Sequence, residues 1–103
     1  MLKILGRATS SNVQKVVWVC EELNVAYGRI DIGGPFGGND QADYLSINPN
    51  GRIPTIDDDG FVLWGSNAIV RYLADKHGAG TPLRPDDVQA RASADRWMDW
   101  ALS

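Results

Sequence analysis

Between Ile47 and Gly78 the chain reads INPNGRIPTIDDDGFVLWGSNAIVRYLADKHG, and this stretch leaves few folds open. Asn48-Pro49-Asn50-Gly51 supplies turn chemistry and leads to Pro54 at the head of an apolar run. Proline cannot donate to a strand ladder, so Pro54 belongs at a first position, an edge or a bulge. A cis bond at Ile53-Pro54 would turn the N–H and C=O of Ile53 away from the sheet. Thr55-Ile56 and Phe61-Val62-Leu63 are strand-sized, and Asp57-Asp58-Asp59-Gly60 between them signals a hairpin. The helix that follows opens on Ser66 and Asn67 and buries Ile69, Tyr72 and Leu73. It carries Lys76 and His77 in its last turn and stops at Gly78. Ser66 serves as an ordinary N-cap in the simplest view, but free N–H groups, the dipole and a hydroxyl there also favour an anion, most simply a carboxylate.

The chain before this stretch reads as a strand, a helix and a second strand. Met1 to Leu5 suits a buried strand, and the polar loop Arg7-Ala8-Thr9-Ser10-Ser11-Asn12 offers several helix caps. From Val13 the spacing is helical, with Val13, Val16, Val17, Cys20 and Leu23 or Asn24 on one face; Asn24 suits a left-handed residue past the end. Val25 to Ile32 reads as a second strand, parallel to the first through a right-handed crossover. The loop Gly33-Gly34-Pro35-Phe36-Gly37-Gly38-Asn39 has four glycines but neither glycine-rich phosphate motif, so it reads as a surface loop. Gln41 to Ile47 has room for a short helix. The sequence therefore predicts an α/β fold, βαβ followed by ββα, with a four-stranded mixed sheet.

Residues 1–78 form this unit, 79–86 read as a linker, and 87–103 open a further helix. Asp86 and Asp87 are expected in its first turn, and Ala90, Ala94, Trp97, Met98 and Ala101 form an apolar stripe that needs a partner surface. That stripe suggests that 87–103 is the incomplete start of an all-helical domain, in a fragment or a truncated variant.

Net charge is −3, and the ten basic residues are scattered, which leaves no electrostatic footprint for nucleic acid or an anionic membrane. No apolar run reaches spanning length, and no signal peptide is expected at the start. One cysteine excludes an internal disulfide framework and fits a reducing, cytoplasmic setting. Cys20 lies on the buried helical face, and no cysteine stands in the loop before that helix, which argues against dithiol exchange. His77 most simply meets the carbonyls at its helix end. The three aspartates read as a solvated turn rather than a metal site, because neighbours alternate in direction along a strand. The four tryptophans are expected as packing residues on different elements.

NPNGRIPTI followed by FVLWGSNAIVRYL resembles the second half of the N-terminal, thioredoxin-like domain of glutathione S-transferases, above all bacterial members with a theta- or nu-like first loop. The resemblance covers residues 1 to about 80, and 87–103 resemble the start of the family's all-helical C-terminal domain. It implies an enzyme that binds glutathione as co-substrate, without metal or other cofactor, and activates its thiol as thiolate for attack on a small electrophile or a disulfide. Ser10 then resembles the residue that donates to sulfur, with Ser11 and Asn12 as alternatives. Ser66 and the N–H of Asn67 would hold the γ-glutamyl carboxylate, the backbone at Ile53-Pro54 the cysteinyl part, and Asn39 and Arg52 the glycyl carboxylate. Gly65 stands where the family usually carries an acid that helps hold the ligand's amino group. That departure supports an alternative, a non-catalytic binding or scaffold protein of the same fold. A homodimer is also implied once the helical domain is complete.

Overall fold

The computed structural model describes residues 1–102, and of Leu102 the backbone alone. In chain order the elements are β1 (Leu2–Leu5), α1 (Ser11–Glu22), β2 (Tyr27–Ile30), α2 (Ala42–Ile47), β3 (Thr55–Asp58), β4 (Phe61–Trp64), α3 (Ser66–His77) and α4 (Val88–Leu102). The four strands make one sheet in the order β2-β1-β3-β4, with β1 and β2 parallel and the other pairs antiparallel. This is the mixed thioredoxin-like sheet that the sequence predicts.

Strand alternation divides the sheet's two faces. Leu2 and Ile4 of β1 and Ile56 of β3 turn to one face, where they meet Val13, Val16, Val19 and Cys20 of α1 and Ile69 and Leu73 of α3. Leu5 and Thr55, paired in register, turn to the other, where α2 lies with its buried Tyr44. α1 begins at Ser11, two residues before the first apolar position, because Ser10 caps it; β2 ends at Ile30, short of the expected Ile32. Asn24 follows the end of α1 with φ 55°, as its side chain allows.

The aspartate run departs from the expected solvated turn. Only Asp59 and Gly60, both at positive φ, make the turn, and Asp57 and Asp58 extend β3. Asp57 accepts the N–H of Gly60 at 2.8 Å, and Asp59 pairs with the N-terminal ammonium. Asp58 points under α3, its side chain only 7% exposed, and accepts from the Tyr72 hydroxyl at 2.5 Å and Lys76 Nζ at 2.7 Å. Alternation along β3 decides this: it sends Asp58 to the same face as Ile56.

The 79–86 segment folds back on α3, with Thr81 bonded to Gly78 and Arg84 Nε to Asp75 at 2.9 Å. Asp87 caps α4 from outside, bonding the N–H groups of Gln89 and Ala90, and no acid lies in the first helical turn. α4 meets α3 through polar contacts: Arg71 bonds Asp95 and Asp99, and Asn67 Nδ2 donates to the Met98 carbonyl at 2.9 Å. Of the expected apolar stripe only Met98 is half-buried. The tryptophans do not pack the interior: Trp18 is 54%, Trp64 43%, Trp97 61% and Trp100 69% exposed, and two of them share α4 in an edge-to-face pair. No helix of the described residues is long and apolar enough to cross a membrane.

Hydrogen bonds from Lys76 and then Tyr72 hold the Asp58 carboxyl below the usual carboxylate range. The unfolded chain therefore binds more protons in that window, and the stabilisation is complete above the ordinary value near 4 and fades as pH falls through the folded value. Asp58→Ala should cost about 2 kcal/mol at pH 7. Urea unfolding of both proteins should show their midpoints converging as pH drops below about 4.

Candidate functional site

The register gathers the candidate residues at one end of the sheet. Leu5 pairs Thr55, and Thr55 pairs Trp64, so the end of β1, the start of β3 and the end of β4 form one row. Ile30 of β2 continues that row beside Leu5. Beyond it lie, in turn, the loop 6–10, the loop 31–39, Ile53-Pro54 and Gly65-Ser66-Asn67. Backbone bonds from Gly6 to Ile30 and from Arg7 to Ile32, both 2.9 Å, seal the first two loops together.

Ser10 is the N-cap of α1, nearly buried, and its Oγ accepts the N–H of Val13 at 3.4 Å. Accepting that bond leaves the hydroxyl proton free to be given elsewhere. Ser11 and Asn12 stand exposed in the first turn. Gly6 tolerates no side chain, because a Cβ would come within 2.5 Å of Val13 and 3.4 Å of Ile53. The Ile53 side chain thus wedges between the loops, also reaching within 3.0 Å of where a Gly33 Cβ would stand. The Ile53-Pro54 bond is cis.

A buried polar knot that the sequence did not reveal fixes the approach to β3. The Tyr44 hydroxyl donates to the Arg52 carbonyl at 2.5 Å and lies 2.7 Å from Thr55 Oγ1. Asn48 Nδ2 reaches the same two oxygens at 2.8 and 3.0 Å, while its Oδ1 accepts the N–H of Asn50 at 3.0 Å. Asn48 and Thr55 are fully enclosed, so each bond replaces lost water. Read along the chain, Asn48 looks like one more turn residue; its burial follows only once α2 packs across β3. Asn39 uses its Nδ2 on the Gly51 carbonyl at 2.8 Å, whereas the Arg52 side chain is exposed.

At the start of α3 the cap position belongs to Gly65, φ 92°, and Ser66 is the first helical residue rather than the N-cap. Its hydroxyl therefore does not close the helix, and the first N–H groups keep no intrahelical acceptor. Ser66 and Asn67 are both nearly buried. Asn67 Oδ1 accepts from Lys15 Nζ at 2.8 Å, which joins α3 to α1. Burial lowers the Lys15 pKa from its ordinary value. A helix start with free donors, two buried polar side chains and a neighbouring ammonium suits an anion. Among the described residues no three His, Cys, Asp or Glu side chains cluster as metal ligands do.

Lys15 and Arg7 escaped the sequence view. Lys15 looks solvent-facing on the α1 helix, and the Arg7 side chain lies across Gly34, whose Cβ would approach within 2.8 Å of its Cδ and Nε. An open apolar cleft of about 560 Å³ lies beside the site, walled by Trp18 and Val19 of α1, Val70 of α3 and Trp97, Met98 and Ala101 of α4.

Comparison with known proteins adds an independent line. Residues 9–76 match the family model of the glutathione S-transferase N-terminal domain. The chain is 48% identical over 103 residues to glutathione S-transferase GstB of Escherichia coli strain K12, covering 98% of this chain and 49% of that protein. It is 35% identical over 99 residues to glutathione S-transferase 3 of Zea mays, covering 95% and 44% of the two. The theta class glutathione S-transferase of Xanthomonas axonopodis pv. citri, solved with glutathione bound, superposes with a TM-score of 0.93 at 52% identity, over 99% of this chain and 48% of that one. A diazinon-metabolizing glutathione S-transferase of the silkworm Bombyx mori gives 0.95 at 33% identity, over 100% and 51%. The chain thus spans about half the length of these relatives.

Three expectations follow from the geometry. Asn48→Ala takes the amide donor from the Arg52 carbonyl and Thr55 Oγ1 and the acceptor from the Asn50 N–H, leaving Tyr44 alone to hold the knot, and should lower stability by about 2–3 kcal/mol, with proteolysis opening first at residues 48–52. Tyr44→Phe, which leaves Asn48 on both oxygens, should cost about half as much in the same urea titration. Burial, reinforced by the charge of Glu21, pushes the Cys20 thiol up to about 11. Iodoacetamide at pH 7.5 should leave folded protein unmodified and label it fully in urea, as an inert core cysteine requires.

Proposed function

The chain belongs to the glutathione S-transferase family, and from that premise we propose that it binds glutathione at the end of the sheet and activates its thiol as thiolate. The observation that carries this is the convergence of three separate sequence segments, Ser10, Ile53-Pro54 and Ser66-Asn67, beyond one register row. In this reading the γ-glutamyl carboxylate lies on the N–H groups of Ser66 and Asn67 and on the Ser66 hydroxyl. The Ile53 backbone pairs with the cysteinyl part. Arg52, exposed and free to swing, meets the glycyl carboxylate. Asn39 would have to exchange its bond to Gly51 for a role there.

The thiol then points at the start of α1. Ser10 accepts a backbone N–H and gives its own proton as a hydrogen bond to sulfur, so charge on sulfur is favoured without any proton being taken by the serine. Ser11 and Asn12, the next two residues and both exposed, are the alternative donors. A free cysteinyl thiol titrates near pH 8.5, and one charge-assisted bond with the helix dipole lowers that by about one to two units. The thiolate attacks an electrophilic carbon, the carbon–sulfur bond forms, and the leaving group departs with its electron pair. With a disulfide substrate, a mixed disulfide forms and a thiolate leaves. The apolar cleft beside α1 and α4 offers a wall for a small apolar electrophile. Cytoplasmic residence and a homodimer complete the proposal.

Gly65 favours a second reading, a glutathione-binding protein that has lost turnover. Calorimetric titration with reduced glutathione, combined with the ultraviolet absorbance of bound thiolate against pH, separates the two. Saturable binding weakened about tenfold or more by Ser66→Ala is expected. Ser10→Ala should bind within about twofold of the parent while its bound thiol returns toward about pH 8.5. Binding without any lowered thiol pKa in the parent would favour the non-catalytic reading, and no saturable binding would overturn both.

A further inference from the structure

The α3 start presents positive partial charge, and no carboxylate among the described residues is bonded there to balance it. Gly65 contributes no side chain, and the position it would reach is open, with only the Ala68 Cβ at 3.8 Å. The charged group bonded at this helix start is the ammonium of Lys15, 2.8 Å from Asn67 Oδ1. The carboxylates of α4 that approach α3, Asp95 and Asp99, are both held by Arg71, one helical turn further along. Among the described residues no carboxylate is hydrogen-bonded to Gly65, Ser66 or Asn67. The field here therefore attracts a carboxylate and repels an ammonium.

Glutathione carries both groups on the same carbon of its γ-glutamyl residue. If the carboxylate sits on the α3 N–H groups, the ammonium is two covalent bonds away and shares the neighbourhood of Lys15. Its water must be partly surrendered there, with no acid among the described residues bonded at this helix start to replace it. A ligand that keeps the carboxylate and the thiol but lacks the ammonium avoids both costs.

We infer that this site selects its thiol by the carboxylate alone, and that its ligand class extends to anionic thiol peptides whose amino end is absent or acylated. Such ligands bind at least as well as glutathione itself. This rests on the placement of the γ-glutamyl carboxylate at α3 proposed above. Lys15 and the empty position at residue 65 are then specificity determinants. An acid at 65 would turn the preference toward the free amine, and removal of the Lys15 charge would lessen the penalty on it.

The test is paired calorimetry on this chain with reduced glutathione and its desamino analogue, glutaryl-cysteinyl-glycine. The parent should bind the analogue equally or up to about fivefold more tightly. Gly65→Glu should reverse the order, favouring glutathione by about tenfold. A side chain at φ 92° is strained, so Gly65→Glu also lowers stability, and Lys15→Gln supplies an arm independent of that strain. It should strengthen glutathione relative to the analogue by about threefold. Glutathione bound about twofold or more tighter than the analogue by the parent overturns the inference and leaves the glutathione site standing. Failure of both ligands to bind overturns the site and the inference together.

Discussion

Everything at the candidate site depends on the pairing of β3 against β1. Ile4 opposite Ile56 sets that register, because both side chains must enter the same core between the sheet, α1 and α3. A slip of one residue would send Ile56 to the α2 face and Thr55 into hydrocarbon. Once the register is set, the end of β1, the start of β3 and the end of β4 can only lie in one row. The chain segments beyond that row meet although Ser10 stands more than forty residues from Ile53 and more than fifty from Ser66 in sequence.

Two polar groups inside the fold do what apolar packing cannot. Apolar contact is roughly proportional to area and indifferent to small shifts, whereas a buried hydrogen bond fails within a few tenths of an ångström. The Tyr44, Asn48 and Thr55 knot therefore fixes the carbonyl of Arg52, and with it the residue that precedes Pro54. Asn67 works similarly on the other side. One amide spans Lys15 of α1 and the Met98 carbonyl of α4, so the N–H groups beside it are held against two other helices. Both devices lie next to backbone that would touch a ligand, where small displacements matter most.

Periodicity and turn chemistry made the order of elements readable, because the core faces of α1 and α3 and the Asp59-Gly60 hairpin are local signals. The ends were less legible: Ser10, Ser11 and Asn12 can all cap a helix, and only the Val13 N–H bonded to Ser10 shows which one does. The same limit explains Asp58, which no local pattern separates from Asp57 and Asp59, although strand alternation puts it beneath Tyr72 and Lys76. The tryptophans are expected as packing residues because they are scattered along the chain, yet Trp97 and Trp100 fall together on a helix that meets α3 through charge and amide contacts. The candidate site was readable where it coincides with turn and helix-start signals, at Ile53-Pro54 and Ser66, although Gly65 rather than Ser66 takes the cap position. It was silent at Lys15 and Asn48, whose roles arise between elements.

Gly65 is more than a missing acid. The chain turns from β4 into α3 at φ 92°, a conformation that costs an L side chain about 1–3 kcal/mol and a glycine almost nothing. A carboxylate at this position would bring charge to the site only by storing that strain in the turn. Glycine relaxes the turn and leaves the helix start with its donors and Lys15 uncompensated. Local backbone ease and ligand charge are thus coupled at a single residue. On the placement proposed for the γ-glutamyl group the coupling has a direction: what the fold gains in an unstrained turn, the site would lose in its hold on an ammonium group, while its hold on a carboxylate would be strengthened. On that proposal Gly65 changes which charges the site complements, and is more than the simple decay of a working pocket.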